Sequence, residues 1–98
     1  MTSEKGVYNA LKYRIVVNPA TGTRRHYNTL GQLHCEDGPA VEYVYGRVEW
    51  WQHGLRHRVN GPAVVFSDSR KYWFLNGVQY TEDDFQAAIE HPGVQHAQ

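Results

Sequence analysis

The residues of this chain with the richest chemistry are two histidines and the single cysteine. His34 and His57 recur at the same place in two similar segments, and Cys35 follows the first of them. Imidazole nitrogen and thiolate sulfur are ligands that suit zinc, so a shared metal site is one use of these side chains. No paired-ligand spacing such as C-x-x-C accompanies them, and each histidine precedes an Asp/Asn-Gly-Pro turn. We therefore expect each imidazole to hydrogen-bond the backbone of its own turn, and we expect no metal or other cofactor.

A catalytic set of side chains is not evident in the sequence. There is no Gly-x-Ser-x-Gly motif and no phosphate-binding glycine loop. Cys35 beside His34 has the residue types of an activated thiolate, but neighbours in a strand point to opposite faces. The acid pair Asp83 and Asp84 stands where helix-capping acids are expected. The sequence predicts a protein that is not an enzyme.

Basic and aromatic residues are interleaved along the chain. Such mixing can hold single-stranded nucleic acid or a nucleotide by stacking and charge. Lys+Arg and Asp+Glu are balanced at 10 each, so the chain lacks the excess positive charge that is typical of proteins that bind nucleic acid. We therefore do not expect nucleic acid as a partner. A small anionic nucleotide needs fewer positive charges for binding, so it stays an alternative ligand. The interleaved residues are Arg24, Arg25, His26, Arg47, Arg56, Arg58, Arg70 and Lys71, with Tyr27, Trp51 and Phe74.

A repeat with a period of 23 residues positions these side chains. Residues 31–53 and 54–76 are identical at eight of 23 aligned positions, and a third unit begins at Gly77. Self-similarity at this period is typical of a modular array. The residues expected to build the repeat are His34, Asp37, Gly38, Pro39 and Trp50 in one copy, and His57, Asn60, Gly61, Pro62 and Trp73 in the next.

Each copy is predicted to be a β-hairpin in which the tryptophan supplies most of the buried surface. Two-residue turns are expected at Tyr45-Gly46 and at Asp68-Ser69. This register sets Val41 opposite Trp50 and Val64 opposite Trp73, with Tyr43 opposite Val48. The rigid indole would bury the surface that a two-stranded unit cannot bury alone. Between hairpins, Gly38 and Gly61 would permit left-handed turns, which Asp37 and Asn60 would close through their side chains.

The predicted fold is a single, mostly β domain that spans 1–98. It contains an array of about three antiparallel β-hairpins in an open sheet, with one short C-terminal capping helix. Its parts are an N-terminal arm (1–10), a diverged hairpin (11–30), two repeats (31–53 and 54–76), a helical unit (77–91) and a tail (92–98). The helix is expected from Thr81 to His91, ended by Pro92-Gly93, because Thr81 can cap it and acids follow in the first turn.

The repeat resembles a β-hairpin repeat of uncharacterised phage and bacterial proteins that is grouped with the MORN repeats. The shared pattern is His-Arg-x-Asp/Asn-Gly-Pro-Ala followed by Trp-x-x-Asn-Gly. The likeness runs from Thr23 to about Phe85. The repeat at 31–53 departs from this pattern, with Cys35 in place of Arg and His53 in place of Asn. The residues that match are Gly54, His57, Arg58, Asn60, Gly61, Pro62, Ala63, Trp73, Asn76 and Gly77.

The second face of the predicted sheet is the expected binding surface. If Val41, Tyr43, Val48 and Trp50 face the core, five large apolar residues face outward, and so many suggest a partner, a dimer seam or cover by the helix. The five are Val44, Trp51, Val65, Tyr72 and Phe74. The residues expected to bind a protein partner are Arg47, Trp51, Arg56, Arg58, Tyr72 and Phe74.

The function expected from these features is that of a non-catalytic protein-interaction module. The resemblance to phage repeats implies a small phage-encoded inhibitor of a host protein, such as a defence component. The alternative is a homo-oligomer that binds and sequesters a small ligand or nucleotide. No apolar run approaches the length of a membrane span and no secretory signal is evident, so we expect a cytoplasmic protein, in the host cytoplasm if viral.

Overall fold

The computed structural model describes residues 13–91 of the chain. In this part the chain is mostly antiparallel β-structure with one helix at its C-terminal end, as the sequence predicts. The strands are β1 (Arg14–Val17), β2 (Arg24–Tyr27), β3 (Val41–Glu42), β4 (Val48–Glu49), β5 (Trp51–Gln52), β6 (Leu55–Arg56), β7 (Val64–Val65), β8 (Lys71–Leu75) and β9 (Val78–Tyr80), and the helix is α1 (Glu82–Glu90). The predicted arm (1–10), the helix stop at Pro92-Gly93 and the tail (92–98) lie outside the described residues.

Seven of these strands form one sheet in the order β1-β2-β3-β4-β7-β8-β9, and β5 and β6 pair separately. The diverged first hairpin is present, with β1 and β2 joined through the turn at 18–22. Asn18 closes this turn twice, because its carbonyl accepts from the Gly22 N–H and its side-chain oxygen accepts from the Ala20 N–H. Successive hairpins are therefore not separate units but neighbours in a continuous sheet.

The two repeat hairpins turn through three residues, so the predicted two-residue turns are wrong. Tyr43 N–H bonds to the Arg47 carbonyl, and Val41 lies opposite Glu49, not Trp50. The loop at 44–46 is a turn followed by a left-handed residue, Gly46, with φ 109°. The hairpin of repeat 54–76 has the same geometry, with Ser69 in the left-handed position (φ 77°), and Val64 lies opposite Tyr72, not Trp73.

A shift of one residue moves every side chain of a strand to the other face. Directly paired residues share a face, so one row across the sheet joins Val41, Glu49, Val64 and Tyr72. The predicted division of faces is wrong as a result. Tyr72 lies on the same side as the buried Val41, whereas Val48 lies opposite Val65 on the other side.

The buried core is formed by small residues and by Phe85, not by the predicted tryptophans. Trp50 and Trp73 are half-buried, so their predicted role as buried plugs is wrong. The buried side chains come from the Pro-Ala-Val segment of each repeat, from the cysteine and from the helix. They are Cys35, Ala40, Val41, Ala63, Val64, Phe85 and Ala88.

A second set of turns lies at the other end of each repeat. The β5–β6 turn is His53-Gly54 and the β8–β9 turn is Asn76-Gly77, and all four residues have positive φ. Positive φ at both central positions defines a type I′ turn, which matches the natural twist of a hairpin. Gly38 and Gly61 do not have positive φ, so the prediction of left-handed turns there is wrong. The glycines that repeat with positive φ in these turns are Gly54 and Gly77.

The helix α1 ends the array by packing against β8 and β9. Thr81 caps it, since its hydroxyl accepts a hydrogen bond from the Asp84 N–H at 3.1 Å. Phe85 and Ala88 are buried and Ile89 is half-buried, which confirms the predicted amphipathic helix. Within residues 13–91, α1 is too short and too polar to cross a membrane.

The three-residue loops predict opposite effects of two reciprocal substitutions. Ser69→Gly should raise the free energy of unfolding by about 0.5–1 kcal/mol, because glycine adopts positive φ without the steric cost that serine meets. Gly46→Ser should lower it by about 1–2 kcal/mol, since a Cβ there would lie 3.3 Å from the Cβ of Ser67. Urea unfolding of both variants measures this. A destabilised Ser69→Gly protein would contradict the assigned loop.

Candidate functional site

Each repeated histidine joins the start of its own repeat to the turn at the end of that repeat. The Nδ1 atom of His34 accepts a hydrogen bond from the backbone N–H of His53 at 2.9 Å, and Nδ1 of His57 accepts one from Asn76, also at 2.9 Å. In both cases the donor is 19 residues further along the chain and is the first residue of a type I′ turn. We call this pair of contacts the histidine clasps.

A backbone contact beside each histidine strengthens the clasp. The Leu33 carbonyl accepts from the Gly54 N–H, and the Arg56 carbonyl accepts from the Gly77 N–H. Two consecutive residues of one repeat therefore satisfy both central N–H groups of the following turn. The sequence correctly indicates that each imidazole bonds backbone, but the predicted partner, the histidine's own Gly-Pro turn, is wrong.

The clasp determines which nitrogen of the neutral imidazole ring carries the proton. Because Nδ1 accepts a hydrogen bond, a neutral ring carries its proton on Nε2. Burial lowers the pKa of His57 from its ordinary value of 6.5, which favours this neutral form. Protonation of Nδ1 would remove the acceptor and break the clasp.

The cysteine and the histidines are not arranged as a metal site or as a reactive thiol. Among residues 13–91, no group of three or more His, Cys, Asp or Glu side chains is placed to hold a metal ion. Cys35 is buried, its Sγ contacts Asp37 Oδ1 at 3.4 Å, and burial raises the pKa of the thiol. A raised pKa opposes the thiolate form that a nucleophile needs.

Arginines on one face of the sheet lie between equivalent aromatic rings of successive repeats. The Cζ of Arg47 is 5.2 Å from the ring centre of Tyr43 and 4.4 Å from that of Phe66, and these two rings are 23 residues apart. Arg56 lies 5.1 Å from the ring centre of Trp51 and 5.4 Å from that of Phe74, again 23 residues apart. Such cation–π contacts stabilise by about 0.5–2 kcal/mol each and fix the guanidinium in place. We call this surface the arginine–aromatic face; it consists of Tyr43, Arg47, Trp51, Arg56, Phe66, Arg70, Tyr72 and Phe74.

A buried carboxylate lies beneath this face. Glu49 is only 2% exposed, and its Oε2 pairs with the Nη2 atoms of Arg47 and Arg56. Its other oxygen, Oε1, accepts a hydrogen bond from the indole N–H of Trp51 at 2.9 Å. A buried carboxylate is tolerated only when it is paired in this way, so Glu49 orders both arginines. Sequence analysis missed Glu49, although an acid alternating with Arg47 and Trp51 on a strand is a recognisable signal.

Five of the six residues predicted to bind a protein partner belong to the arginine–aromatic face. Four of them line a shallow hollow of about 160 Å³ with Val64 and Phe66. Those four are Arg47, Arg56, Tyr72 and Phe74, and Trp51 adjoins them through Arg56. The sixth, Arg58, lies elsewhere, over the ring of Trp50 at 3.7 Å.

Arg58 lines a larger cleft between two successive copies of the Gly-Pro loop. The cleft has a volume of about 670 Å³, within the range of small-molecule sites. Its walls are the segments 35–38 and 57–60, and Trp50 and Gln52 complete it. Burial lowers the pKa of Arg58. This cleft could not be predicted from the sequence, because it depends on how two loops are spaced in the folded array.

Comparisons with protein-family models, with curated proteins and with solved structures find no match to this chain. The resemblance to MORN-like repeats therefore depends on the motif residues and stays a prediction.

Removing the acceptor of each clasp should destabilise the protein unequally. His34 is buried and His57 is half-buried, so water replaces the lost acceptor more easily at the second site. We expect His34→Ala to lower the free energy of unfolding by about 2–3 kcal/mol and His57→Ala by about 1 kcal/mol. Urea unfolding at neutral pH measures both. Losses below about 0.5 kcal/mol at both positions would contradict the clasps.

The lowered pKa of His57 predicts that acid weakens the second clasp. The unfolded chain binds a proton at this ring more readily than the folded chain, so stability falls as pH decreases below 6.5 and levels off below the folded pKa. His57→Gln keeps a side-chain acceptor that does not titrate, so the loss of stability between about pH 7.5 and about pH 5 should be smaller in this variant. The exposed His91→Gln is the control. Equal pH dependence in wild type and His57→Gln would count against the prediction.

Proposed function

We propose that this chain is a non-catalytic protein-interaction module whose arginine–aromatic face binds a partner protein. The observation that carries the proposal is the placement of Arg47 and Arg56. Each guanidinium is held between two aromatic rings beside a hollow with an apolar floor. Arginine and aromatic residues are enriched at the energetic centres of protein interfaces. Because these arginines are already held by aromatic rings in the free protein, they also lose little side-chain entropy on binding.

The charge of this face favours an acidic partner surface. Arg47 and Arg56 share a single carboxylate, Glu49, so one positive charge is left over. Arg70 extends the face, with its Cζ 4.3 Å from the ring centre of Phe66, and pairs with the exposed Asp68. A carboxylate next to an apolar side chain on the partner would complement both the charge and the hollow.

The identity of the partner follows only from the resemblance to phage repeats. On that basis we propose that the chain is a phage-encoded inhibitor and that the partner is a host protein, such as a defence component. A second proposal is that the chain sequesters a small ligand as a homo-oligomer. The observation that favours it is the cleft of about 670 Å³, although the carboxylates of Glu36 and Asp37 on one wall oppose an anionic nucleotide there.

The matched variants Arg70→Glu and Lys71→Glu test the proposed face. The two residues are adjacent, but Arg70 contacts the arginine–aromatic face and Lys71 lies opposite Val65, in the row on the other side of the sheet. We expect the partner purified with the wild-type chain from host lysate to bind Lys71→Glu unchanged. Its affinity for Arg70→Glu should fall about tenfold, and rising salt should weaken wild-type binding.

Two outcomes would contradict the proposed face. Equal binding of the partner by both variants would place the interface elsewhere. A rise in melting temperature with a nucleotide, without a stoichiometric protein partner, would favour the sequestration proposal instead.

A further inference from the structure

The two ends of the array carry opposite charges, although the whole chain is balanced. Residues 1–31 contain five Lys or Arg and one acid, which gives a net charge of +4 with His neutral. Residues 77–98 contain four acids and neither Lys nor Arg, which gives −4. Residues 32–76 contain five basic and five acidic residues, so the middle of the array is neutral. The charges of the chain are therefore separated along the array.

The strand at the positive end, β1, is an edge strand. Within residues 13–91 it pairs with β2 on one side and with no strand on the other. The Asn18 N–H bonds to the Thr23 carbonyl across the β1–β2 ladder. Because the direction of these bonds alternates along an antiparallel strand, the backbone groups of Ile15 and Val17 point away from β2. This edge can accept a further strand.

The side chains of β1 are also exposed on both faces of the sheet. Ile15 is 47%, Val16 is 38% and Val17 is 51% exposed. Edge strands of monomeric proteins are usually protected by lysine, proline, a bulge or a covering segment, and an uncovered apolar edge is a site of strand pairing. The basic residues of β1 and β2 are Arg14, Arg24 and Arg25.

The strand at the negative end, β9, is the other edge of the same sheet. The Phe74 carbonyl accepts from the Arg58 N–H, on the side away from β9. Phe74 lies opposite Gln79, so by the same alternation the backbone groups of Gln79 point away from β8. Val78 is 58% exposed. This end therefore also presents outward backbone groups beside an exposed β-branched side chain.

The helix α1 places acids next to β9. Its three first-turn acids and Glu90 are exposed. Asp83 and Glu90 are seven residues apart and therefore share one face of the helix, opposite the buried Phe85 and Ala88. The acids of α1 face outward from the last strands of the sheet, whereas the arginines surround the first strand.

We propose that copies of this chain associate head to tail, with the β1 edge of one copy pairing with the β9 edge of the next. The arginines beside β1 would then lie near the acids of the second copy's α1. Charge favours this arrangement, because pairing two β1 edges would bring together two ends of +4. Contacts of this heterologous kind generate rings or open filaments. The arginine–aromatic face includes no residue of β1, β9 or α1, so the proposal does not depend on the function proposed for that face.

The mass of the full chain in solution, measured by light scattering over a range of concentrations, tests the association. We expect the mass to rise beyond that of two chains of 11.3 kDa and to fall in high salt, which screens the opposite ends from each other. A mass that stays at one chain would overturn the proposal and would indicate that β1 is covered by residues 1–12 or by another protein. A mass that stops at two chains would indicate a symmetric dimer and would overturn it equally.

Charge-reversed variants identify the two ends. Arg14→Glu/Arg25→Glu and Asp83→Lys/Glu90→Lys should each lower the affinity between copies about tenfold or more, because both ends of each variant then carry the same sign of charge. An equimolar mixture of the two should associate again, since their ends are complementary. Lys71→Glu, in the neutral middle, is the control and should associate as the wild type does. Wild-type association of either double variant, or no recovery in the mixture, would overturn the proposal.

Val17→Pro tests the strand edge itself. The Val17 N–H points to the open side, so proline leaves the β1–β2 ladder intact but removes a donor that an added strand would need. We expect this variant to remain monomeric with an unchanged circular dichroism spectrum. Unchanged association would overturn the proposal, and this result decides the matter if a charge-reversed variant does not fold.

Discussion

The hydrogen bond from a turn N–H to the Nδ1 of the histidine 19 residues earlier in the same repeat is the contact on which the array depends. Each repeat contributes only short strands, such as Val41–Glu42 and Val64–Val65, and so few ladder bonds cannot specify a register alone. The clasps of His34 and His57 fix the end of each repeat against its own start, and the adjacent backbone bonds from Gly54 and Gly77 cross into the following repeat. The repeated histidine therefore holds the turn that leads into the next repeat, and its recurrence is explained without a metal or catalytic role.

The arginine–aromatic face connects repeats by a second route. Arg47 and Arg56 each lie between equivalent rings of neighbouring copies, above the buried Glu49. These side chains therefore stabilise the sheet and at the same time form the surface proposed to bind a partner. Substituting either arginine would change both the stability of the sheet and the proposed binding surface. The exposed Arg70, at the margin of the face, separates binding from folding more cleanly.

Much of the architecture could be predicted because periodicity and capping are local signals. The 23-residue repeat, the first hairpin and the helix capped by Thr81 follow from residue types at fixed spacing. The register could not be predicted, because two-residue and three-residue turns differ by a single left-handed residue, and Ser69 gives no such signal. That one-residue difference moved Trp50 and Trp73 to the face away from Val41 and Val64 and set Glu49 and Tyr72 opposite those valines instead.

The residues of the candidate sites also differ in whether they could be predicted from the sequence. Arg47, Trp51, Arg56, Tyr72 and Phe74 were predicted together because basic and aromatic residues are interleaved along the chain and the three aromatic residues were expected on one face. Glu49 and the cleft beside Gly38 depend on contacts between repeats, which no single segment encodes. Arg58 was assigned to the wrong surface for the same reason.

The most direct test of the central claim is the coupling between nitrogen nuclei across the clasp hydrogen bond. In ¹⁵N-labelled protein at neutral pH, we expect a measurable coupling between the Asn76 amide nitrogen and Nδ1 of His57, with the imidazole proton on Nε2. The same pattern should join His53 to His34. A proton on Nδ1 of both rings, with no coupling to either turn, would contradict the account.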